Sequence, residues 1–204
     1  MDARLAAELT EFAVDFHVAL VKEIKKSIGR SPRAYKRLEP YKIQSFFESR
    51  NLSSGSLIGF GTDMLSVLLR AHPFPHANHR TLLFLTGAFF QANGLRFPHY
   101  RGRIPNWETR FKSDCNSYIY GSKYWLKLRY QRDVWQERFE SGQRFMYFRT
   151  GKRTLREEDL KLNKTEMANR HLALTREWLE RMLEDQSARD RRMSADSLRK
   201  LMTQ

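Results

Sequence analysis

Cysteine is almost missing from this 204-residue chain: Cys115 stands alone, which excludes an intrachain disulfide and fits a fold held by its core in a reducing compartment. Acidic residues are few for so basic a chain, with 23 Asp plus Glu against 37 Lys plus Arg. The formal net charge of +14 implies acidic partners. No apolar run reaches the roughly 20 residues a membrane-spanning helix needs. Met1-Asp2-Ala3-Arg4 also lacks the basic start and apolar stretch of a signal peptide. The expectation is a soluble cytoplasmic protein, or one delivered into a host cytoplasm. Several catalytic signatures are missing too: no G-x-x-x-x-G-K-[ST] phosphate loop, no G-x-S-x-G nucleophile turn, no paired cysteines and no HExxH zinc helix.

What is present is mostly helical periodicity. Leu9, Phe12, Ala13, Phe16, Ala19, Leu20 and Ile24 form a stripe that predicts a first core helix over 6–28, stopped by Gly29. From Gly29 to Gly61 the text is broken by Ser31-Pro32, Glu39-Pro40 and Ser53-Ser54-Gly55. A second helical pattern runs from Met64 through Leu69 to His72, where Pro73 disfavours helical geometry at the preceding residue. The run Leu82 to Ala92 is apolar around its whole circumference and ends at Asn93-Gly94, so it reads as a buried central helix. Segment 117–138 is open between helix and strand, because Tyr124 to Tyr130 also alternates. An amphipathic helix is expected over 165–184 and a short one over 194–202, within a charged tail that reads as solvated unless a partner orders it. The expected division is a core over 1–150 followed by an amphipathic helix and basic tail over 151–204.

Between Phe97 and Phe148, aromatic residues alternate with arginine and lysine. Single-stranded nucleic acid is bound by such a mixture, with cations for the backbone and rings for the bases. The plainer reading, an aromatic core whose long cationic side chains cover it, is favoured because no nucleic-acid motif of fixed spacing accompanies it.

The densest chemistry lies in His72-Pro73-Phe74-Pro75-His76-Ala77-Asn78-His79-Arg80-Thr81. A helix beginning near Asn78 aims unpaired N–H groups and its positive dipole end at the loop carrying His72, a place where phosphates bind readily. An imidazole that titrates near neutrality is suited to general-base work. The bland alternative makes His72 and His76 ordinary loop residues and the prolines mere helix stops. Zinc chemistry from His72, His76, His79 and His99 is disfavoured, since His72 and His76 lie across a proline-rich loop without a carboxylate at helical spacing.

Over roughly Met64 to Gly94 this arrangement resembles the Fic/Doc (Fido) family, whose pattern runs His-x-Phe-x-Asp/Glu-Gly/Ala-Asn-Gly/Lys-Arg. His72, Phe74, Ala77, Asn78 and Arg80 match. Thr81, Phe90 and Asn93-Gly94 look closer to the death-on-curing (Doc) branch. The resemblance implies a mostly α-helical bundle with a short β-hairpin flap, supplied by Tyr35–Ile43 or Leu52–Phe60. It also implies transfer of AMP or a phosphoryl group from ATP or another nucleotide to a Ser, Thr or Tyr hydroxyl of a target protein. His72 would be the base, Asn78 and Arg80 would complete the catalytic set, Ala77 to Arg80 would hold phosphates, and Phe74 would plug the core. No inhibitory S/T-x-x-x-E-G/N element is apparent, so an inhibitor would act in trans.

Two positions depart from the pattern. His76 stands where the family's carboxylate holds Mg2+, a cation that prefers oxygen ligands. His79 stands where other members carry Gly or Lys, and its bulk resembles the Doc arrangement that transfers the γ-phosphoryl group. The second expectation, of a different class, is a catalytically degenerate basic module with this fold that binds RNA, nucleotide or a partner protein.

Overall fold

The computed structural model describes residues 1–50, 55–95, 110–148, 151–183 and 191–203, without the side chains of 110–114. His99, and residues 97–109 of the basic and aromatic stretch, lie outside the described residues. The chain is mostly α-helical, with one short antiparallel hairpin among the described residues, and no described helix is long and apolar enough to cross a membrane. Contacts group it into two compact units, Met1–Pro105 with Leu179–Gln204, and Asn106–Trp178. That division does not fall at residue 150.

In the first unit, α1 (Ala3–Ile28) starts at Asp2, whose side chain accepts from the Arg4 amide, and stops at Gly29 in the left-handed region. Its buried face repeats at helical spacing through Leu9, Ala13, His17, Leu20 and Ile24, so a histidine occupies a core position. Helix α2 (Pro40–Glu48) opens on a proline, which already has helical φ and lacks only an N–H that needs no partner there. Helix α3 (Leu57–Ala71) is capped by Ser56, whose Oγ accepts from the Gly59 amide, and ends at His72. Helix α4 (Asn78–Ala92) follows after six residues and is buried almost all round, as the unbroken apolar run predicts. Glycine at position 61 lets α3 and α4 approach closely, since a Cβ there would collide with the Phe90 ring.

The charged tail is not a solvated terminus where it is described. Helix α8 (Ala195–Met202), capped by Ser194, buries Leu198 and Leu201 in the first unit. The strand-like contact ahead of it pairs Leu57 N–H with Arg191 O at 2.9 Å and Met193 N–H with Gly55 O at 2.7 Å. The Asn93 amide donates to Ser197 O at 3.0 Å. Charge counting hid this, because Met193, Leu198 and Leu201 need only one narrow face to reach the core.

The second unit holds α5 (Arg110–Glu140), β1 (Phe145–Phe148), β2 (Gly151–Thr154), α6 (Glu157–Lys161) and most of α7 (Lys164–Met182). Helix wins over strand in the ambiguous 117–138 segment, with a break in helical geometry at Gln131. The strands pair antiparallel from Phe145↔Thr154 to Phe148↔Gly151. The hairpin therefore lies at neither expected place: Tyr35–Glu39 is not strand, 40–48 is α2, and 57–60 belongs to α3. Residues 51–54 of the other candidate lie outside the described residues.

Candidate functional site

The six residues between α3 and α4, His72 to Ala77, form a loop bounded by strained geometry. His72 (φ 54°) and Ala77 (φ 52°) are the non-glycine residues with positive φ among those described, and each costs roughly 1–2 kcal/mol relative to the right-handed region. Strain at both ends of a short turn between two core helices persists only where the surroundings over-determine the geometry.

Asn78 does most of that determining. Its Oδ1 accepts from the Phe74 amide at 3.0 Å, and its Nδ2 donates to Phe74 O at 2.8 Å and to the Tyr35 hydroxyl at 2.7 Å. Both amide hydrogens are thus engaged, so Asn78 reaches a phosphate oxygen only by releasing one of these partners. Phe74 is fully buried and stacks on His17 with ring centres 4.6 Å apart.

An extended segment before α2 lies along the same loop. Tyr35 N–H donates to Pro75 O at 3.1 Å, and Glu39 N–H to Pro73 O at 2.9 Å. The Tyr35 hydroxyl then meets the His72 ring, 3.1 Å from Nδ1 and 3.3 Å from Nε2. Burial, helped by Lys36 and Lys42 and opposed by Glu39, pushes His72 from its ordinary 6.5 down to about 4. Burial raises Tyr35, against the hydrogen bond from Asn78. At neutral pH the pair is a neutral imidazole and a neutral phenol. Glu39 is drawn down to about 2 by its bonds to Lys36 and Lys42, and Lys42 also donates to Ala71 O at 3.1 Å.

His76 turns toward α1. Its ring centre lies 5.0 Å from that of His17, whose Nδ1 sits 2.9 Å from the Thr81 hydroxyl. Burial, and after it the neighbouring His76, pushes His17 down to about 4. His79, partly exposed, and Arg80, exposed, occupy the first turn of α4 behind Ala77, which supplies no side-chain cap. The structure thus joins His72 to Asn78 through Tyr35, ties Asn78 to Phe74, and places His76 against His17. Sequence reading missed Tyr35 and His17. A polar residue on the α1 core stripe was the available signal for His17, whereas Tyr35 left none.

The Mg2+ implied by the resemblance does not fit these donors. Imidazoles line the loop, Glu39 is committed to two lysines, and no cluster of three His, Cys, Asp or Glu able to hold a metal occurs among the described residues.

In the second unit the basic and aromatic residues largely satisfy one another. Lys127 lies 5.3 Å from the centre of the Trp135 ring, Arg138 lies 4.8 Å from it, and Arg144 covers Phe139 at 4.2 Å. Tyr118, Tyr124 and Trp135 are buried, while Tyr130 and Tyr147 remain exposed. Ser122 and His171 form a buried pair at 2.7 Å that sequence reading also missed.

One family model, described as a family of unknown function (DUF8172), matches residues 5–201. No curated protein and no solved structure matches the chain.

Proposed function

We propose that the chain, which belongs to the DUF8172 family of unknown function, is a Fic/Doc-like transferase that moves AMP or a phosphoryl group from a nucleotide to a protein hydroxyl. The observation that carries this reading is a hydroxyl already held at an unprotonated histidine: Tyr35 O–H lies 3.1 Å from His72, within the hydrogen-bond reach of a general base, while the burial that keeps the ring unprotonated also makes it a weaker base than a free imidazole. A target Ser, Thr or Tyr hydroxyl replaces Tyr35 there. Its oxygen attacks phosphorus, its proton passes to His72, and pyrophosphate leaves if AMP is transferred, or the nucleoside diphosphate if the γ-phosphoryl group is. The amino end of α4 and Arg80 stabilise the phosphates. Ala77 and His79 flank that end, and an inhibitor protein would act from outside the chain.

The test is incubation of the protein with a cell lysate and ATP labelled on either the α- or the γ-phosphate, with Mg2+ present and absent. Label transferred by the wild type and lost with His72→Ala supports the reading, and the position of the label distinguishes AMP from phosphoryl transfer. Undiminished labelling by His72→Ala removes His72 as the base.

His76, by removing the carboxylate expected of a nucleotide-bound magnesium site, favours a second reading: a degenerate module that binds RNA, nucleotide or a partner protein without turnover. Replacing Arg101, Arg103, Lys123 and Lys127 then weakens salt-dependent RNA binding while His72→Ala leaves it unchanged.

A further inference from the structure

We propose that His17 Nε2 and His76 Nδ1 form a two-imidazole site for a borderline divalent transition-metal ion of the zinc type. The proposal stands on geometry independent of any transfer reaction. Both nitrogens are buried and have no hydrogen-bond partner in the protein. A buried polar atom without a partner costs free energy, and native folds leave few of them, so two on adjacent rings point to an occupant that bonds to nitrogen.

The spacing agrees. Two imidazoles that share one ion at zinc–nitrogen distances of about 2.0–2.1 Å, with a near-tetrahedral angle between them, have ring centres about 5 Å apart. The His17 and His76 centres are 5.0 Å apart, tilted by 41°.

The surroundings suit a ligand histidine. The Thr81 hydroxyl is 2.9 Å from His17 Nδ1, and when that nitrogen carries the proton, Nε2 presents its lone pair. Metal-bound histidines are ordinarily held by such an oxygen on the other ring nitrogen. Phe74 stacks on the His17 ring and fixes its plane. His76, partly exposed, gives the ion access.

Imidazole selects zinc-like ions over Mg2+. The positive end of α4, two residues beyond His76, works against a bare cation and in favour of an anion beside it. Water or a small anion therefore completes the coordination.

The experiment is calorimetric titration of the chelator-treated full chain with ZnCl2, repeated with His76→Asn and with the controls His79→Gln and His99→Gln. One equivalent is expected to bind, with affinity reduced on the order of tenfold or more in His76→Asn and unchanged in both controls. Circular dichroism checks that the variants fold. Because His17 is a core residue, it is followed in the wild type by side-chain nitrogen NMR, where Zn2+ should shift His17 Nε2 and His76 Nδ1. No binding by the wild type, full binding by His76→Asn, loss only in a control, or unmoved His17 and His76 signals would each overturn the site.

Discussion

Each unit buries a histidine, and the two are handled in opposite ways. His171 of the second unit meets Ser122 Oγ at 2.7 Å, within a network where Tyr118 and Thr175 also pair at 3.0 Å. His17 of the first unit has one nitrogen on Thr81 and the other unpartnered beside His76. A closed network stabilises and specifies packing, whereas an open nitrogen beside a strained loop is a place to bind something. The rings differ in a similar way at particular places: Trp135 and Phe139 of the second unit lie under the chain's own cations, while in the first unit Tyr35 is held against His72.

The largest expected effect tests whether the loop is held chiefly by Asn78. Asn78→Ala strips three hydrogen bonds and leaves the buried Phe74 amide unpaired, so a loss of roughly 3–5 kcal/mol in unfolding free energy is expected from denaturant titration. A loss under about 1 kcal/mol would mean that α3 and α4 alone fix the turn.

Acid should act on the first unit next, through two of its imidazoles. His17 and His72 are both lowered to about 4, so the unfolded chain binds protons that the folded one refuses between pH 6.5 and 4. Stability is therefore complete above pH 6.5 and falls as pH drops through that window, with His17 contributing about 3 kcal/mol of the loss. Measured in chelator, His17→Phe should remove roughly half of the decline, the remainder belonging to His72 with Lys36, Lys42 and Glu39 around it. A slope unchanged by the substitution would show that His17 does not contribute.

Much of this comparison was legible in the sequence, and the remainder failed for physical reasons. The His72 to Thr81 loop and the buried helix over 78–92 were readable because proline, glycine and apolar runs act locally. Contacts made at long range were not. Tyr35 reaches His72 across 37 residues, His17 reaches Thr81 across 64, and the tail reaches Asn93 across 104. The hairpin was anticipated in kind but misplaced, because short apolar pieces near Pro40 fit a helix start as well as a strand.

Closing the second unit's network should matter less than opening the first unit's loop. Ser122→Ala removes the hydroxyl from buried His171 and is expected to cost about 1–3 kcal/mol, without changing zinc binding or nucleotide-dependent labelling. A change in either activity would show that the closed network also serves the site.

The smallest effect bears on why Ala77 is not glycine. At φ 52° an alanine is strained, and glycine adopts that conformation without a steric penalty, so Ala77→Gly should relieve strain but also enlarge the unfolded ensemble. The net gain in stability is expected to be about 1 kcal/mol or less. If the strain only closes a turn, relief leaves ligand binding untouched. If it holds His76 against His17 and Asn78 against Phe74, the glycine variant is more stable yet binds Zn2+ or nucleotide more weakly. That opposite movement of stability and binding would identify the loop as a site rather than a connection, and no comparable trade is expected from relaxing a turn in the second unit.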